Sequence, residues 1–140
     1  MLSLEEARDD PSEQAFGPRD GGRAFDPTLW RDPEGTLWYI FNRGNKDLAT
    51  HGVYARTCAD PDAASPLWSE EFRVGFDESP YSFRMNKPTV LSTGEWVMPV
   101  THATETTRDW FAGPRQLQGV GISTDKGKTW KLHGALKAPA

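Results

Sequence analysis

The sequence predicts an all-β chain built of two successive four-stranded antiparallel units, and three observations predict it. The first is a repeat: ArgAlaPheAspProThrLeu at 23–29 and ArgMetAsnLysProThrVal at 84–90 share Arg, three residues, then Pro-Thr-aliphatic. The second is punctuation, because short runs of aromatic and β-branched residues are separated by Gly, Pro, Asp and Asn turns throughout. The third is composition: hydrophobic residues make up only 36%, yet aromatics reach 11% and six of them are Trp. Such a mix suits short strands stitched together by bulky rings. One stretch reads as helix: Ser3–Arg8, where Ser3 and Glu6 have the spacing of a capped turn.

Taken in order, residues 1–22 form a polar lead-in that is expected to be partly disordered. The first unit, 23–80, opens with the repeat strand, turns at ArgAspProGluGlyThr and continues in LeuTrpTyrIlePhe. A polar connection leads to GlyValTyrAlaArgThr, and TrpSerGluGluPheArgVal closes the unit. The second unit, 81–140, repeats this plan. Its second strand is TrpValMetProVal after SerThrGlyGlu, its third GlyValGlyIle and its fourth TrpLysLeuHisGlyAlaLeu. Trp30, Trp38, Trp68, Trp96 and Trp130 fall at repeat positions and are expected in the core. Two four-stranded units of about 60 residues read as two β-propeller blades, whereas a closed propeller takes about 4 to 8. Completion is therefore expected from a longer gene product, from three copies giving six blades, or from a dimer that buries the open faces.

Between the last two strands lies SerThrAspLysGlyLysThrTrp, Ser123 to Trp130, with the pattern S-x-D-x-G-x-x-W. Each named residue type has a task in a tight hairpin. Asp125 can fold its carboxylate onto following backbone N–H groups. Gly127 can supply a positive φ, Ser123 a hydroxyl partner, and Trp130 a ring laid across the turn. A degenerate version occupies 58–68, with Asp60 and Trp68 in the matching roles.

The motif resembles the Asp box of the bacterial neuraminidase repeat, found in sialidases and other β-propellers on the outer rim. The likeness to sialidase-like proteins extends over roughly residues 20–138. It implies a six-bladed propeller and, for the complete family, an exo-acting glycoside hydrolase that removes terminal sialic acid. Its chemistry there uses arginines that grip the sugar carboxylate bidentately, a Tyr nucleophile assisted by Glu, and an Asp acid/base. The resemblance places Arg23 and Arg84 among the carboxylate-binding candidates, although both read Arg-x-x-x-Pro where the family has Arg-x-Pro. An inter-blade salt bridge is the structural alternative for both. Asp26 is the catalytic candidate, or else a turn cap before Pro27. Asn86 and Lys87 precede the same proline as Arg84 and are expected at the axial mouth. Asn42, Arg43 and His102 end second strands and can reach either rim. Trp110 and Phe111, in the polar insert 103–118, are candidates for stacking on a sugar face or for packing on a neighbouring blade. Tyr81 stands in an apparent loop without a family motif around it.

Other chemistry is excluded or unsupported. Net charge is −4, so no basic field recruits nucleic acid or an anionic membrane. Cys58 is the single cysteine, which leaves no internal disulfide. His51, His102 and His133 have no metal-site spacing, and no P-loop, nucleophile elbow or dinucleotide fingerprint occurs. No cofactor is expected. No apolar run approaches the roughly 20 residues of a membrane span and no signal segment is visible, so the chain is expected to be soluble. The expected function is thus part of a sialidase-like hydrolase, catalytically incomplete alone. The alternatives are a non-catalytic carbohydrate-binding or scaffold propeller, and a protein whose function is its own assembly.

Overall fold

The computed structural model describes residues 23–44, 51–76, 81–103 and 116–137. They form nine strands and no helix. In the first sheet β1 (Arg23–Arg31), β2 (Leu37–Gly44), β3 (Gly52–Cys58) and β4 (Phe72–Val74) follow one another in space as in sequence. In the second, β5 (Tyr81–Arg84), β7 (Trp96–Ala103), β8 (Leu117–Ser123) and β9 (Lys131–Lys137) do the same, and β6 (Thr89–Val90) also pairs with β7. Every pairing is antiparallel. Two such meanders stacked face to face are adjacent β-propeller blades. The lead-in with its Ser3–Arg8 reading lies outside the described residues.

Side chains alternate between faces along a strand, and this alternation makes the interface. The first blade turns Trp38 and Ile40 of β2, Val53 and Ala55 of β3 and Val74 toward the second. The second answers with Trp96, Met98 and Val100 of β7, and all eight belong to one buried cluster. Burying each of the larger side chains is worth about 1.5–3 kcal/mol. Three indoles interlock there: Trp96 meets Trp30 edge-on at 4.9 Å between ring centres and Trp38 at 5.7 Å. Close approach also needs Gly121, because a Cβ there would lie 2.2 Å from the Phe76 ring.

The structure departs from the sequence reading at several points. The innermost strand of the second blade is split into β5 and β6, so this sheet has five strands rather than four. Pro88 cannot donate to the ladder, and Lys87 N–H turns back onto Asn86 Oδ1 at 2.8 Å. Met85 N–H still reaches the Pro99 carbonyl at 2.9 Å, which keeps the two pieces in line. In the first blade the same region is a bulge between Phe25 and Thr28, and β1 stays whole. The two repeat arginines consequently sit at different heights. Arg23 opens β1 opposite Gly44, the last residue of β2, whereas Arg84 ends β5 opposite Val100, three residues short of the end of β7. Tyr81 begins β5 rather than standing in a loop. Trp68 is 39% exposed against Tyr39 instead of joining the core. Asp60 is exposed, and its backbone carbonyl accepts the Ala63 N–H. The fourth strand of the first blade shrinks to three residues.

Candidate functional site

A cleft of about 230 Å³ opens between the inner strands of the two blades. Asp26, Asn42, Phe83, Arg84, Thr101 and Gln118 are among its lining residues. It lies toward the end of the sheets where β2 finishes and β3 begins, away from the Ser123–Trp130 turn.

Asp26 occupies the β1 bulge with φ 52°. An L-residue in this left-handed region carries a cost of roughly 1–2 kcal/mol, and Asp is one of the few that tolerate it. Its side chain is exposed at the cleft. Its backbone carbonyl accepts a hydrogen bond from the Arg84 guanidinium Nη2. Arg84 is only 3% exposed, and its Nε has no hydrogen-bond partner among the described residues. Burial pushes the guanidinium below its usual pKa, and the nearby Asp26 carboxylate offsets part of that. Asn42, 1% exposed, takes the Arg84 backbone at both ends: its Nδ2 donates to the Arg84 carbonyl and its Oδ1 accepts the Arg84 N–H, each at 2.9 Å. Thr101 and Gln118 are cross-strand partners, and Gln118 Nε2 donates to Thr101 Oγ1 at 3.0 Å.

Of the residues singled out from sequence, the structure brings Asp26, Arg84 and Asn42 together. Asn86 and Lys87 are exposed in the break between β5 and β6 and do not line the cleft. Arg23 enters the fold through its backbone pairing with Gly44. Trp110 and Phe111 lie outside the described residues. Arg43 is buried, ion-paired with Glu71, and stacked on Phe41 and Tyr54 at 5.5 and 5.2 Å from their ring centres. His102 is buried with Nε2 3.0 Å from the Gly134 carbonyl, whereas its Nδ1 has no hydrogen-bond partner among the described residues. Thr101, Gln118 and Phe83 line the cleft without being among the residues the sequence singles out. The β7–β8 register identifies the first two, but it is fixed by pairing and not by any local motif.

At the opposite end Ser123, Asp125, Gly127 and Trp130 form one turn. Ser123 Oγ donates to Asp125 Oδ1 at 2.9 Å and accepts the Gly127 N–H at 2.8 Å. Asp125 also receives the Thr129 N–H at 2.8 Å and the Thr129 hydroxyl. Those bonds hold its carboxyl down to about 2, the Thr129 hydroxyl contributing most. Trp130 Nε1 donates to the Gly127 carbonyl at 3.2 Å. Gly127 has φ 84°, and a Cβ there would lie 2.8 Å from Trp96 and 2.9 Å from Trp38. Asp32 does similar work in the β1–β2 turn. It accepts Glu34 N–H, Thr36 N–H and the Trp38 indole N–H at 2.9, 3.0 and 2.9 Å.

The cleft offers one carboxylate, one buried guanidinium, a hydroxyl and carboxamides, with Phe83 as an apolar wall. Such a set can bind and orient a polyhydroxylated ligand. Glycoside hydrolysis commonly uses two carboxyl groups, and Asp26 is the one carboxylate among the described lining residues. Among the described residues no group of three or more His, Cys, Asp or Glu could hold a metal ion. Nor is any described helix long and apolar enough to cross a membrane.

No protein family and no curated protein matches the sequence. Among solved structures, the chain is similar to an endo-arabinase from Bacteroides thetaiotaomicron VPI-5482, a β-propeller enzyme, with a TM-score of 0.57 and 17% identity. The alignment covers 86% of this chain but 44% of the other, so the chain spans less than half the length of that enzyme. At this identity the likeness speaks for the fold alone.

Proposed function

We propose that the chain supplies two blades of a glycosidase-type β-propeller, and that the cleft between Asp26 and Arg84 takes a carbohydrate. The observation that carries this reading is the cleft's polar set: one exposed carboxylate beside a buried guanidinium, a hydroxyl and carboxamides, on the inner edge of propeller blades. The fold likeness to a glycoside hydrolase supports it. On this reading, with a single carboxylate among the described lining residues, the chain binds sugar but does not complete hydrolysis. The second carboxyl comes from further blades or from another copy.

The narrower reading is an acidic terminal sugar of the sialic acid type. The unpartnered Arg84 Nε favours it, because a buried guanidinium N–H gains most from a charged acceptor. A neutral arabinose unit, suggested by the name of the structural neighbour, is the rival. A purely carbohydrate-binding propeller uses the same cleft without chemistry.

The test is titration of the 15N-labelled chain with N-acetylneuraminic acid and with arabino-oligosaccharides, alongside hydrolysis assays on a fluorogenic sialoside and on arabinan. The expected result is shifts at Asn42, Thr101 and Gln118 without turnover. Stronger shifts with the acidic sugar support the sialidase-type reading, and the reverse supports the arabinan type. Robust turnover by the 140-residue chain refutes incompleteness. Absence of cleft shifts with every sugar removes the carbohydrate reading.

A further inference from the structure

We infer that Asn42 and Arg84 are positioning residues through which the second blade sets the conformation of Asp26 on the first. The inference rests on the reading above only in assigning the Asp26 carboxylate to the ligand.

The chain of contacts crosses the blade interface twice. Asn42 belongs to β2 of the first blade and is almost fully buried. Its side-chain amide engages both the N–H and the carbonyl of Arg84, much as a neighbouring strand does, at the end of β5 in the second blade. That clamp fixes the backbone from which the Arg84 side chain departs. The guanidinium then returns to the first blade, where it donates to the Asp26 carbonyl.

Asp26 needs such a hold. It bears a Cβ, has φ 52° and precedes Pro27, and a residue before proline is pushed toward extended conformations. Left to itself, Asp26 relaxes into the β1 ladder. Its carbonyl then swings away from Arg84, and its carboxylate leaves the cleft. A non-glycine residue in a sparsely populated region persists where its surroundings over-determine it, and here the surroundings are one guanidinium and the amide that anchors it. Arg84 gains in return, because the Asp26 carboxylate is a counter-charge for a cation buried to 3% exposure. Three residues from two blades are thus tied together by side-chain-to-backbone hydrogen bonds. A rim carboxylate on either blade alone lacks this support.

The test uses the intact 15N-labelled chain and reads the intraresidue amide–Hα NOE of Asp26, which is strong when φ is positive. In Arg84→Gln the signal is expected to fall to the level of an ordinary strand residue such as Ala24, while the Gly127 and Thr129 amide shifts stay in place. Arg84→Lys, which keeps a cationic donor, retains part of it. A strong Asp26 NOE persisting in folded Arg84→Gln overturns the proposal. Asn42→Asp keeps the acceptor for Arg84 N–H and loses the donor to its carbonyl, so it covers the case in which Arg84→Gln does not fold. Partial loss of the NOE is expected there, and an unchanged NOE overturns the relay. If the NOE is lost while sugar-induced shifts in the cleft remain those of the wild type, the relay stands and the assignment of Asp26 to the ligand falls.

Discussion

The two ends of this molecule are built by different means. At the end holding Asp32 and Asp125, each turn is made by side chains a few residues apart. Both carboxylates are fully engaged with N–H or O–H donors, and Trp38 and Trp130 each donate their indole N–H into the turn. At the cleft end the contacts are long-range: Asn42 reaches Arg84 across 42 residues and Arg84 reaches Asp26 across 58. The unpartnered buried Arg84 Nε and His102 Nδ1 also lie toward this end. One end is a finished mechanical part. The other holds polar groups without partners among the described residues, and such groups favour a ligand that satisfies them.

This contrast predicts where substitutions register, and Gly127→Ala is expected to have the largest effect. It meets two tryptophans and a positive φ at once, so about 3–4 kcal/mol of stability is lost, read by urea unfolding. Sugar-induced shifts in the cleft of the folded fraction should not change. Asp32→Ala strands three donors, the Trp38 indole among them, and should cost about 2–3 kcal/mol in the same assay. Asn42→Ala leaves both Arg84 backbone groups unpaired, at about 2 kcal/mol, and unlike the first two should also weaken sugar binding. If Gly127→Ala or Asp32→Ala weakens binding as much as Asn42→Ala does, the division between the ends is wrong.

A smaller effect depends on pH. The Asp125 carboxyl sits at about 2 in the fold against an ordinary 3.8, so its depressed pKa favours the folded state above about pH 4. That contribution is lost as pH falls from about 4 toward 2. The urea midpoint of the wild type should drop over this window, and Asp125→Asn should flatten that part of the profile. Least of all, Lys126→Ala removes an exposed ion pair with Glu34 and should leave the melting temperature unchanged, although the pair links turns of the two blades.

The same division explains what the sequence revealed. The all-β character, the two meanders and the Ser123–Trp130 turn were legible because each depends on neighbours in the chain. Asp32 was legible in principle, since a carboxylate three residues before Gly35 and six before Trp38 makes a similar turn at a looser spacing. The cleft was not legible. Arg23 and Arg84 look equivalent in sequence, but the Asp26–Pro27 bulge and the break at Asn86–Lys87–Pro88 shift the inner strands by different amounts. Arg84 therefore meets Asp26 and Asn42, whereas Lys87 is exposed and does not line the cleft. Thr101 and Gln118 carry no local signal, and only the pairing of β7 with β8 joins them.

The indole cluster has an optical consequence. Trp30 and Trp38 belong to one blade and Trp96 to the other, with ring centres 4.9 and 5.7 Å apart across the interface. Chromophores this close couple their transitions, so the far-ultraviolet circular dichroism should carry an exciton couplet that neither blade produces through the same pairs alone. Strand content and blade contact then become separately visible in one spectrum. Weakening of the couplet to what the Trp30–Trp38 pair of the first blade gives, with the β-sheet signal intact, marks a state in which the blades have parted before either has unravelled.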